Sequence, residues 1–119
     1  MPNYFEFIIQ KGRPLSEINP GSNEMALTVE DALQALELIK DNKLFILGGD
    51  ILSEENNKLI YAYQLWGREY HVLNWYLTAE DYERKDELIS YDIAKEAIAK
   101  ANQTAEQLKK KCYIVFVTE

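Results

Sequence analysis

Residues 28–50 constrain this chain more than any other stretch. Thr28 can cap a helix, with Glu30 and Asp31 in the first turn, where the helix dipole favours negative charge. Val29, Ala32, Leu33, Leu36 and Ile39 recur at helical spacing and give it one apolar face. Asp41, Asn42 and Lys43 end it. The apolar run Leu44, Phe45, Ile46, Leu47 then has the length of a central strand. It leads into Gly48, Gly49 and Asp50. This glycine pair lacks the G-x-G-x-x-G spacing and has no helix behind it, so it does not read as a phosphate loop. It marks a bulge, or a close backbone approach that leaves no room for a side chain. Asp50 is then expected to bond to nearby backbone N–H groups or to point outward at a partner.

The rest of the chain reads around this centre. Residues 4–9 are aromatic and β-branched, which predicts a first strand. Residues 11–23 hold Gly12, Pro14, Pro20 and Gly21 and read as a loop. Residues 53–58 are polar, with Asn56 and Asn57 as the turn into a returning strand over 59–66. A tight turn at Gly67 and Arg68 leads to a further strand over 69–77, so the three strands form an antiparallel meander. Thr78 can cap a short helical turn. Ser90 begins a second helix, whose apolar face is Ile93, Ala94, Ala97, Ile98 and Ala101. Lys109, Lys110 and Lys111 form a solvated patch near its end, and residues 112–117 are the last strand. The expected fold is α+β in β-α-β-β-β-α-β order. About five strands form a mostly antiparallel sheet, with two helices packed on one face. Residues 1–119 are read as one domain.

Composition narrows the function. Lys and Arg number 13 against 20 Asp and Glu, a net charge of −7. That opposes nucleic-acid binding, which needs a basic face, and favours basic partners. The single cysteine, Cys112, cannot form an internal disulfide and suits a reducing compartment. The chain starts with neither a secretory signal nor a membrane-length apolar run, so a cytoplasmic location away from membranes is expected. The sequon at Asn102 then carries no meaning.

No catalytic constellation stands out. His71 is the only histidine, and one His with one distant Cys does not make a zinc site, so neither metal nor cofactor is expected. Cys112 lacks a C-x-x-C context and reads as a buried thiol. Residues 80–96 carry seven acidic side chains against three basic ones, which fits a solvated helix face or an acidic docking surface. Tyr61, Tyr63, Trp66, Tyr70, Trp75, Tyr76 and Tyr82 crowd the middle of the chain. Strand alternation sets Tyr61 and Tyr63 on one face and Trp66 on the other, so both faces carry aromatics, as protein interfaces do.

The pattern resembles the immunity proteins of bacterial polymorphic-toxin systems, in particular immunity protein 40. The resemblance rests on the helix through Ala32, Leu33 and Leu36, on Gly48-Gly49-Asp50, and on the strand from Lys58 to Tyr63. Asn74-Trp75-Tyr76, the helix with Ser90, Ala94, Ala97 and Ala101, and the final apolar strand complete it. It implies an α+β fold and non-enzymatic neutralisation of a cognate toxin domain. Gly48, Gly49 and Trp75 would then serve the fold, and the acidic surface would choose the partner. Such toxins include nucleases with basic clefts, which an acidic inhibitor can enter and occlude. The expected contact surface is Asp50, Glu54, Glu55, Glu80, Asp81, Glu83 and Asp86, with Tyr63, Trp66 and Tyr82 as apolar anchors. The chain itself is expected to be a monomer or weak homodimer.

Two other readings stand beside this one. A small-molecule-binding domain or enzyme would line a concave pocket with the aromatics and bring in His71 and Asp50. A structural subunit would pair through an edge strand at residues 4–9 or 113–117.

Overall fold

The computed structural model describes residues 3–67 and 74–119. Among these it has five α-helices and six strands: α1 (Tyr4–Lys11), β1 (Arg13–Pro14), β2 (Met25–Thr28), α2 (Val29–Asp41), β3 (Ile46–Glu55), β4 (Lys58–Tyr61), α3 (Ala62–Leu65), β5 (Trp75–Tyr76), α4 (Ala79–Arg84), α5 (Glu87–Leu108) and β6 (Tyr113–Thr118). The sheet order is β1-β2-β6-β3-β4, with β5 also on β3, and every pairing is antiparallel. The α+β class and antiparallel sheet expected from sequence are therefore present. The strand order and several elements differ from expectation.

The first element is a helix, not a strand. The Asn3 side chain accepts from the Glu6 N–H at 2.8 Å and caps α1. Tyr4 and Phe7, one turn apart, are buried on its inner side. The loop read over 11–23 contains the two-residue β1 and a 3-10 turn at Leu15–Glu17, and β2 follows it, unforeseen. Next, α2 starts as expected, with Thr28 Oγ1 accepting from the Asp31 N–H at 3.2 Å. Ala32, Leu36 and Ile39 are buried, joined by Ala35, whereas Leu33 is exposed.

The central strand is β3, and it runs through Glu55, into the segment predicted as turn. Only Asn56 and Asn57 turn. Both have φ near +60° (54° and 66°), the left-handed pair that a two-residue hairpin needs, and asparagine tolerates it. β4 then stops at Tyr61, and residues 62–65 form α3 where a continuing strand was expected. β5 pairs with Gly48 and Gly49 of β3, so β4 and β5 lie in succession along one edge of β3 and make no meander. The rest of the strand predicted over 69–77 lies largely outside the described residues, as does the turn at Arg68. Between the two partners, the Asn74 side chain accepts from the Ile51 N–H at 3.0 Å.

The glycine pair does what its sequence suggested. A register shift between Ile46 and Gly48 places a bulge just before it. A Cβ on Gly48 would meet the Trp75 carbonyl oxygen, and one on Gly49 would meet the Trp75 indole. That indole packs against the helix-side core, edge-on to Phe116 at 6.3 Å.

The two faces of the sheet are unequal. On one side α1, α2 and α5 cover a core that includes Phe7, Leu36, Ile46, Ile51, Ile98 and Ile114. α5 starts at Glu87, earlier than expected, because the Asp86 carboxylate caps it through the Ile89 N–H at 3.2 Å. Ser90 is buried in its first turn, and the Tyr91 hydroxyl donates to the Leu44 carbonyl at 2.8 Å, which moors the helix to the approach of β3. On the other side only a small cluster forms, of Leu15, Ala26, Leu52, Leu59 and Val115, roofed by the chain after β1. Among the described residues no second apolar cluster covers the rest of that face.

Candidate functional site on the open sheet face

Strand alternation fixes which β3 side chains reach the open face: Asp50, Leu52 and Glu54 share it, while Gly49, Ile51 and Ser53 face the helices. The two carboxylates have different surroundings. Glu54 is 11% exposed and held from several sides. Arg13 Nη1 donates to it, Lys111 Nζ at 3.1 Å and the Tyr113 hydroxyl at 3.0 Å. These donors hold the Glu54 carboxyl below its ordinary range, Lys111 contributing most. Arg13 also grips Glu17 and the Asn57 carbonyl, so it clamps the β1 segment to the β3–β4 hairpin.

Asp50 has no hydrogen bond or ion pair among the described residues, and partial burial raises its carboxyl above the usual value. Glu24, just before β2, is half-buried, and its carboxyl is raised first by burial and then by Asp50. Three tyrosines border this pair. Tyr61 stacks on Tyr63 with ring centroids 5.7 Å apart. Burial raises the Tyr61 phenol, followed by the nearby charges of Asp50, Tyr63, Glu24 and Tyr76. Tyr63 and Tyr76 are 46% and 67% exposed, so both offer ring surface to a partner. Two like charges, half-removed from water and without a described counter-ion, are an unfavourable arrangement for an isolated fold. Such arrangements collect at sites that meet something else.

The surface expected from sequence divides when placed on the fold. Asp50 and Tyr63 meet in this patch. Glu54 lies along the same strand but is tied into the Arg13 clamp, and Glu55 is exposed at the hairpin. Trp66 is 5% exposed and belongs to the helix-side core, so it is no surface anchor. Its burial follows from α3, which breaks the strand alternation that had placed it opposite Tyr63. Glu80, Asp81, Tyr82 and Glu83 lie on α4, at the far end of β3 beside Phe45. There Tyr82 packs edge-on to Phe45 at 6.1 Å and donates to Glu119 at 3.1 Å. Glu80 pairs with Arg84 at 2.6 Å, and Asp86 caps α5. The length of β3 separates α4 from the hairpin, on the order of 30 Å at strand rise.

Glu24 escaped the sequence reading, and Tyr61 and Tyr76, noted there among the aromatics, were not placed on the expected contact surface. Glu24 lies just past the stretch read as loop, in residues given no element, and only the fold carries it to Asp50. Cys112 is partly buried against the helix-side core, and burial pushes its thiol up to about 12, which keeps it protonated and unreactive. His71 lies outside the described residues. Among the described residues no group of three His, Cys, Asp or Glu could hold a metal, and no helix is long and apolar enough to cross a membrane.

A small antiparallel α+β domain, helix-covered on one face and acidic and aromatic on the other, is the class these observations define. Within it, the family described as Immunity protein 40 matches residues 14–118. The chain belongs to that family, as the glycine pair, Trp75 and the final strand suggested. No curated protein and no solved structure matches it.

Proposed function

We propose that this chain binds a cognate toxin domain of a polymorphic or contact-dependent system and neutralises it by covering the toxin's active site with the open sheet face. It acts by binding and performs no catalysis. The observation that carries this reading is the Glu24–Asp50 pair, ringed by Tyr61, Tyr63 and Tyr76, in a chain of the immunity protein 40 family. A basic cleft, as in a nuclease, supplies the counter-charge that the pair lacks, and the tyrosines supply amphipathic contact area. Glu80, Asp81 and Glu83 on α4 add to the attraction at long range, within a net charge of −7. Asp86 lies beside them at the helix start. The site of action is the cytoplasm, where an incoming toxin meets its target.

The test is titration of the full chain against the toxin domain encoded beside it, at two salt concentrations. Asp50→Lys and Tyr76→Ala should weaken the complex about 30-fold or more, as central interface residues do. Reversing Glu80, Asp81 and Glu83 together should slow association about tenfold, with little change in dissociation. Wild-type affinity in Asp50→Lys would remove the open face from consideration.

A further inference from the structure

β6 lies between β3 and β2, but its two sides are not equally occupied. Towards β3 it pairs along its whole length, from Leu52↔Tyr113 to Ile46↔Thr118. Towards β2 the pairing covers only Leu27↔Ile114 and Thr28↔Tyr113. Two steps further in that register Met25 would face Phe116, and that pair is not formed. Instead the strands part, and a cleft of about 340 Å3 opens between them, roofed by Tyr4, Phe5 and Ile8 of α1.

The direction of the free backbone follows from alternation. The Glu119 N–H donates to the Phe45 carbonyl at 2.9 Å, so odd-numbered residues here present their N–H and C=O to β3. Phe116 and Thr118 therefore direct theirs the other way, into the cleft. Among the described residues no backbone group from the β2 side meets them. An unpaired strand segment beside an apolar slot is a template for one more strand. Phe116 and Met25 line the slot, and Phe5, 53% exposed, stands at its rim. Glu24 also lines it, with Asp50 behind and no described counter-ion. The occupant therefore has an extended backbone, an apolar side chain and a cation.

We propose that this cleft receives an extended segment of the toxin, which pairs with β6 at Phe116 and Thr118, fills the slot with an apolar side chain and sets a Lys or Arg against Glu24. The proposal rests on the toxin-binding reading above and adds a mode of recognition: main-chain pairing gives affinity, and Glu24 with the slot gives register. The cleft adjoins the open face through Glu24, so one partner can engage both.

Amide hydrogen exchange of the full chain, with and without the toxin domain encoded beside it, tests this. In the complex the Phe116 and Thr118 amides should exchange at least about tenfold more slowly. Thr118→Pro removes one cleft-facing N–H without touching the bonds to β3, and should weaken the complex about tenfold. Glu24→Gln should weaken it too, whereas Glu37→Gln on the outer side of α2 should not. If the toxin binds and both amides exchange at the free rate, the strand-pairing proposal is overturned and the toxin reading stands. If the toxin does not bind at all, both fall. Protection of these amides by self-association at high concentration, without toxin, would assign the edge to a second copy of this chain and overturn the proposal. If Thr118→Pro does not fold, exchange in the unaltered chain decides.

Discussion

The two faces of one sheet carry the same strands and opposite chemistry. On the helix side Ile46, Ile51 and Ile114 are closed off by α1, α2 and α5; there Ser53 donates to the Lys111 carbonyl at 2.7 Å and Tyr91 to Leu44, while the buried Trp66 and Trp75 indole N–H groups meet no partner among the described residues. On the other side a smaller apolar cluster is anchored by the Arg13–Glu54 clamp, and beyond it stand Asp50, Glu24 and their tyrosines without described partners. The first face is mostly given to the fold, and it opens at the cleft beside Phe116 and α1. The second holds charged groups without a described counter-ion, and that is the observation behind the proposed contact surface.

The comparison can be broken most strongly on the closed face. Ile114 is fully buried among the helices, and Ile114→Ala should destabilise by about 2–5 kcal/mol, the usual range for a core truncation. The loss should be visible in urea unfolding with little change in slope. Gly49→Ala comes next, at about 1–3 kcal/mol, because its Cβ would drive the Trp75 indole out of a packed position. A Gly49→Ala variant as stable as the parent would show that the indole has room to move.

How much of this was legible in the sequence depended on how local each cause was. The start of α2 and the Asn56–Asn57 turn rest on nearby residues and were read correctly; the glycine pair was too, although what crowds it is Trp75, distant in the chain. Residues 4–9 misled because Tyr, Phe and Ile are favoured in strands. The competing signals, the Asn3 cap and Phe7 one turn after Tyr4, are weaker in composition than in geometry. Residues 59–66 misled for the opposite reason. Nothing between Leu59 and Trp66 breaks a strand, yet α3 forms there and turns Trp66 into the core. The site suffered most. Asp50 was found because it follows the glycines, but its neighbour Glu24 arrives through sheet order β2-β6-β3, a long-range property that no local pattern encodes. The placement of Glu54 in a clamp likewise needed Arg13 and Lys111, brought together from opposite ends of the chain.

Within the open face, the clamp and the patch should respond to substitution with opposite sign. Glu54→Gln leaves Arg13, Lys111 and Tyr113 facing an amide, and should destabilise by about 1–2 kcal/mol at neutral pH. The Glu54 carboxyl is lowered in the folded state, so its contribution is complete above the ordinary carboxylate range and disappears as pH falls through the lowered value. Thermal unfolding of the parent and Glu54→Gln should therefore converge in acid.

Asp50→Asn should do the reverse, and by less. Its carboxyl is raised in the folded state by burial, so between the ordinary and the raised value the folded chain holds more protons than the unfolded one. Stability thus falls as pH rises through that window, and at neutral pH the ionised Asp50 opposes folding. The amide removes that penalty, giving a gain under about 1 kcal/mol, since much of the side chain still meets water. Melting temperatures of the two proteins should separate above the window and coincide below it. The same substitution should weaken toxin binding, because the charge that strains the free protein is the one the partner would neutralise. An Asp50→Asn variant less stable than the parent at neutral pH would mean that Asp50 has a partner within its own fold, and the contrast between the two faces would lose its main support.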